Sequence, residues 1–164
     1  MKQLLASLVL VSMAFNVSAQ SLWRDAPMLA SPAEIRTLMP QARDTSPARR
    51  AADPSALLEI PGTPIADETF VVTYHFESER LQRVHLRSEP ATPERTQALL
   101  RTLQTSLRKT YGLPLSTPSR PVAALGTVDV MWSFRRMTVQ LLMLDGKTVE
   151  LIYSVNMPSR PGGL

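Results

Sequence analysis

Phe70, Val72, Tyr74 and Phe76 stand at every second position, with Val71, Thr73 and His75 between them. A repeat of two sends alternate side chains to opposite faces, so this stretch is a strand with one buried face. The same repeat returns at Val128, Val130, Trp132 and Phe134, and again at Val149, Leu151, Tyr153 and Val155. Between them, Leu99, Leu100, Leu103, Leu107 and Tyr111 fall at helical spacing. Strands on both sides of one long helix predict an α+β fold. The expectation is an antiparallel sheet of five to six strands, with one long and one short helix packed on one face.

The local signals sharpen that outline. Leu81 to Arg87 reads as the return strand of the first hairpin, with Val84 and Leu86 toward the core and Arg83, His85 and Arg87 on the other side. Thr92 suits a helix N-cap, Pro93 the first helical position and Glu94 the positive end of the dipole. Gly112 and Pro114 close that helix. Val139 to Leu144 is apolar on both faces and is expected to run centrally, and Asp145-Gly146 is a strong hairpin signal. Ser31-Pro32-Ala33-Glu34 opens a short helix over 31–39 with a capping box. Residues 41–54 read as a flexible loop. Leu57 to Ile60 is a short strand that Pro61-Gly62 should break. The core domain is therefore expected over 69–156, after a lead-in over 20–68 and before a disordered tail over 157–164. Helix followed by hairpin, twice, hints at a duplication.

Residues 1–19 are expected to be a secretory signal peptide. Lys2 precedes an apolar run from Leu4 to Val11, and Val17-Ser18-Ala19 offers small residues for cleavage before Gln20. The run is shorter than the ~20 residues a membrane span needs. Cleavage would leave about 145 residues, the size of one domain. The chain has no cysteine, so a packed core must hold the fold, and thiolate chemistry and a lipid-anchoring cysteine are excluded. Its formal charge is +4, and loss of Lys2 with the leader leaves +3. With few aromatics and no binding motif, nucleic acid is not the expected partner. The expected location is the periplasm, with secretion as the alternative.

Leu107, Tyr111-Gly112-Leu113-Pro114 and the later strand with Trp132 resemble small periplasmic α+β domains. These are of the kind found in outer-membrane assembly lipoproteins of the SmpA/OmlA type and in β-lactamase-inhibitor-like proteins. The resemblance spans residues 90–156, with an echo at 31–40. It implies a protein that acts by binding other proteins and not as an enzyme. This chain lacks the lipoproteins' anchoring cysteine, and the resemblance assigns no functional residue.

Candidate chemistry is sparse. His75 and His85 should face each other across the first hairpin, with Glu77 or Glu79 nearest as a further ligand, but no HExxH spacing supports a metal. Ser133 and Ser154 have no local histidine, and no Gly-x-Ser-x-Gly elbow is present. Asp67-Glu68 and Glu77 with Glu79 read as solvated loop acids. No catalytic residue, metal or cofactor is assigned. Arg83, His85 and Arg87 line one strand face, and Arg135 and Arg136 are expected near them on the same sheet. Such a surface could grip phosphates, carboxylates or an acidic protein. It could equally be a solvated face whose like charges discourage aggregation. Trp132 and Tyr111 read as core anchors, and Met131, Met137 and Met143 as filler or a soft patch. The expected function is a non-enzymatic binding module for an envelope protein or anionic cell-wall component. The alternatives are a small hydrolase or metal-dependent enzyme, and a structural envelope factor.

Overall fold

The structure is a computed structural model that describes residues 20–115 and 128–156. The leader, the tail and most of the loop from Leu115 to Ala124 lie outside the described residues. The element order is β1 (Ser21–Trp23), β2 (Ala26–Pro27), α1 (Pro32–Leu38), β3 (Arg43–Asp44), α2 (Pro47–Ala52), β4 (Ala56–Ile65), β5 (Glu68–Glu77) and β6 (Arg80–Ser88). These are followed by α3 (Pro93–Tyr111), β7 (Val128–Phe134), β8 (Met137–Leu144) and β9 (Thr148–Val155).

The main sheet is antiparallel and has seven strands in the order β3-β4-β5-β6-β9-β8-β7, beside a separate two-stranded β1-β2 ribbon. The α+β class is as expected, but the sheet is larger than the expected five to six strands. The short edge strand β3 was read as loop, and β4 runs on through Pro61-Gly62 instead of ending there. The pairing slips between Ile60 and Thr63, and Gly62 takes a left-handed φ of 68°. A bulge thus absorbs the proline that would otherwise break the ladder.

One hydrophobic core fills the inner face. Phe70, Val72, Tyr74, Val84, Leu86, Trp132, Val139, Leu141 and Leu151 supply the sheet side. Leu99, Leu100, Leu103 and Leu107 of α3 lie over the β7–β9 side, and Ile35 and Met39 of the α1 segment cover the β4–β5 side, where the Tyr74 hydroxyl reaches Met39. Both capped helices begin where their Ser-Pro and Thr-Pro openings place them. Gly112 ends α3 with φ 83°, and its carbonyl accepts the Trp132 indole N–H at 3.1 Å. β8 is half-buried on its second face and lies one strand in from the β7 edge. Met137 and Met143 are core, while Met131 is on the opposite face, so the three do not form one patch.

The expected placement of helices on a single face is incomplete. Residues 41–54, read as flexible loop, hold β3 and α2, and α2 lies on the outer face of the sheet. Ser46 caps α2 and Pro47 starts it, but none of its residues is buried. Polar ties fix it instead: Arg49 donates to Thr73 Oγ1 at 2.5 Å, and Arg50 donates to the Leu57 carbonyl.

Candidate site on the outer sheet face

The outer face of β5 and β6 is built from the residues that alternate with the core. Register pairs Thr73 with His85, His75 with Arg83 and Val71 with Arg87. Across the next seam, Arg83 pairs with Ser154, His85 with Ile152 and Arg87 with Glu150. His75 and His85 are therefore diagonal neighbours, not directly opposite as the sequence suggested. Their ring centroids are 6.1 Å apart.

α2 and the turn after it complete the cluster. The Ser55 hydroxyl donates to Asp53 Oδ1 at 2.6 Å, and Ser55 N donates to the same oxygen. Asp53 Oδ2 lies 3.1 Å from His75 Nδ1 and 3.4 Å from Arg83 Nη2. Ser55 Oγ and Arg83 Nη2 each lie 3.1 Å from His75 Nδ1 in bonding geometry. An arginine can only donate. Arg83 can donate to His75 Nδ1, but Ser55, whose own proton goes to Asp53, can only accept from it, so the two contacts call for opposite tautomers of the ring.

Burial works in the same direction. His75 is only 5% exposed, and burial, helped by Arg83, pushes its pKa down to about 4. The ring is neutral near neutral pH. Its Nε2 is buried and has no hydrogen-bond partner. A buried polar atom left unpaired costs about 1–3 kcal/mol. Asp53 is held below the usual carboxylate range, chiefly by the Ser55 hydroxyl.

The second half of the cluster centres on Glu150. Its Oε2 is 3.0 Å from His85 Nε2, inside ion-pair range but off the line of a hydrogen bond. Its Oε1 is 3.5 Å from Arg87 Nε. These neighbours, His85 first, hold the carboxyl below its ordinary pKa despite burial.

Arg83, His85 and Arg87 thus share the outer face, as the alternation indicates, and each lies beside a carboxylate. Arg135 and Arg136 form the β7–β8 turn, where Arg135 stacks on Phe134. That turn is at the end of the sheet marked by the Arg83, Ser154 and Thr138 row. Among the described residues, neither arginine has an ion pair.

Four contributors escaped sequence reasoning: Glu150 on β9, Ser55 just before β4, and Arg49 and Asp53 in the stretch read as loop. The Ser46-Pro47 opening, like Ser31-Pro32 and Thr92-Pro93, was the signal that could have found their helix.

A serine, a histidine and an aspartate do meet here, but not as a hydrolase needs them. A catalytic triad puts serine on one ring nitrogen and the acid on the other. Here Ser55 and Asp53 crowd the same Nδ1, and the Ser55 proton already goes to Asp53. The arrangement can hold an imidazole rigidly and present its other edge. Among the described residues, no three His, Asp or Glu side chains are grouped to hold a metal.

Compared with protein-family models, with curated proteins and with solved structures, the chain matches none of them.

Proposed function

We propose that this protein is an exported, non-enzymatic binding module that docks an anionic envelope component through the outer face of β5, β6 and β9. The partner is an acidic protein or a charged cell-wall polymer. One observation carries the reading: Arg49, Arg83 and Arg87 gather with two histidines on one sheet face, fixed by Thr73, Asp53 and Glu150. Cations held in place lose less freedom when they meet a ligand, and they set partner choice and approach rate. Arg83 and Arg87 keep roughly half of their side-chain surface open, so they remain available. The leader-like start supports an exported chain.

The test is capture from a cross-linked envelope extract with the full chain expressed behind its own leader. Arg83→Glu with Arg87→Glu should abolish capture of a saturable partner. Arg135→Glu with Arg136→Glu should weaken it less. Unchanged capture by the first pair would remove this face from the function.

A further inference from the structure

We propose that the space between α2 and the outer sheet face is a binding pocket for one carboxylate group bearing a short alkyl substituent. This rests on the binding-module reading and narrows it to a ligand chemistry.

The cavity holds about 140 Å³ and is lined by Arg49, Ala52, Asp53, Thr73, His75 and Arg87, with Ala56 and His85 completing its wall. It has room for a small group of water-sized atoms. A carboxylate with one or two carbons is of that size.

The charges decide the ligand's sign. Asp53 is spent on Ser55, His75 and Arg83, and Glu150 on His85 and Arg87. Arg49 has no carboxylate partner among the described residues; its guanidinium donates to the Thr73 hydroxyl. One cation is therefore left uncompensated at the wall. The same wall carries His75, 95% buried by its 5% exposure, whose Nε2 has no hydrogen-bond partner. Its Nδ1 edge is turned to Ser55 and Arg83, which leaves the Nε2 edge on the side of His85 and the cavity. A guanidinium without a counter-ion asks for an oxyanion, and a neutral imidazole with an unpartnered Nε2 can carry its proton there to meet one. Two parallel oxygens suit the planar arginine fork. A dianionic phosphate would add a second charge close to Asp53 and Glu150, so the monoanion is favoured. Ala52 and Ala56 give the alkyl group an apolar wall. A metal ion is disfavoured because Arg49, Arg83 and Arg87 surround the rings.

Access is through α2. This six-residue helix buries no side chain and depends on polar ties, so it can lift without opening the core.

The experiment is a titration of the full chain with sodium propionate, read by the His75 imidazole 15N and 1H resonances. A second arm compares one short peptide with a free and with an amidated C-terminus. Saturable movement of the His75 signals is expected. Arg49→Gln should weaken it at least tenfold, and Arg49→Lys, which keeps the charge without the fork, should weaken it less. Tighter binding of the free-terminus peptide than of propionate would identify a chain terminus as the source; the reverse order would identify a small free acid. Circular dichroism checks that each variant is folded. Absence of saturation, or an Arg49→Gln protein that binds like wild type, overturns the pocket. Loss of partner capture in Arg83→Glu/Arg87→Glu with no propionate binding would leave the docking face standing and remove only the pocket. Propionate binding with unaltered capture would do the opposite.

Discussion

The sheet is two similar halves joined along one seam. β4, β5 and β6 form an antiparallel meander after α1 and α2; β7, β8 and β9 form another after α3. Their last strands, β6 and β9, pair at the centre. The inner faces are alike, each an apolar surface under a helix. The outer faces are not. The first half carries Thr73, His75, Arg83, His85 and Arg87 beneath α2. The second carries Asp129, Met131, Thr138, Gln140 and Leu142, where Gln140 donates to Asp129 at 2.9 Å. Glu150 reaches from the second half into the charged cluster of the first. The inner face needs only apolar bulk at the right phase. Chemistry is then free to diverge on the outer face, and here it is concentrated where a connecting segment folded back as a cover.

The largest expected effect tests whether the halves really share a core. Trp132 is fully buried, and its indole N–H satisfies the Gly112 carbonyl. Trp132→Ala should cost about 3–5 kcal/mol. Urea unfolding gives the loss, and hydrogen exchange gives its reach. Amides of β5 should lose protection together with those of β8. If β5 keeps wild-type protection, the halves are separate cooperative units and the single-core description fails.

The inner face was legible because period-two runs and capped helices announce themselves. Much of the outer face was not. Pro-Ala-Arg-Arg-Ala-Ala has no apolar stripe, and α2 buries nothing, so only its Ser46-Pro47 start marks it. His75 looks like any outward strand histidine until α2 covers it. The turns differ in the same way. Asp145-Gly146 was readable, but Ala66-Asp67 and Ser78-Glu79 adopt the same pair of positive φ values without glycine. There the turn is imposed by the strands it joins. The row Arg83, His85 and Arg87 lies on the outer face, where phase alone places it. Its carboxylate partners Asp53 and Glu150 are 30 and 65 residues away from Arg83 and His85 in the chain, beyond any local signal.

The next effect should appear only on the covered outer face. His75 has its pKa lowered from 6.5 to about 4 by burial. The unfolded chain therefore binds more protons than the folded one in this window, and stability rises with pH from about 4 to 6.5. The neutral ring's benefit is complete above 6.5 and is lost as pH falls through 4. A shift of that size corresponds to about 3 kcal/mol across the window. Urea midpoints at pH 4.5 to 6.5 should show this slope in wild type and a flatter one in His75→Gln. Asp53, Glu150 and Glu34, whose pKa values are also depressed, act below this range. Equal slopes in the two proteins would mean that α2 does not seal the ring from water.

A smaller effect reads the seam. The Val149 N–H at the start of β9 donates to the Ser88 hydroxyl at the end of β6, at 2.9 Å and buried. Ser88→Ala leaves that N–H without an acceptor and should cost about 1–2 kcal/mol. Exchange of the Val149 amide should accelerate more than that of β8 amides facing β7. Uniform acceleration would show that the seam opens only with the whole sheet, and the division into halves would describe the strand order without describing the energetics.

The smallest effect concerns the one side-chain ion pair between α3 and the first half among the described residues. Arg95 Nε and Nη2 lie 2.9 Å and 2.8 Å from Glu68 Oε1, at the opening of β5. The arginine side chain is 63% exposed, so water and salt screen the pair, and ordering the long side chain offsets part of the attraction. Glu68→Gln should change stability by no more than about 0.5 kcal/mol, and less in 1 M salt than in 0.05 M. A loss above about 1.5 kcal/mol at either salt concentration would exceed what a screened pair supplies. It would mean that α3 is anchored to the first half as firmly as to the second. The helix, and not only the β6–β9 ladder, would then hold the two halves together.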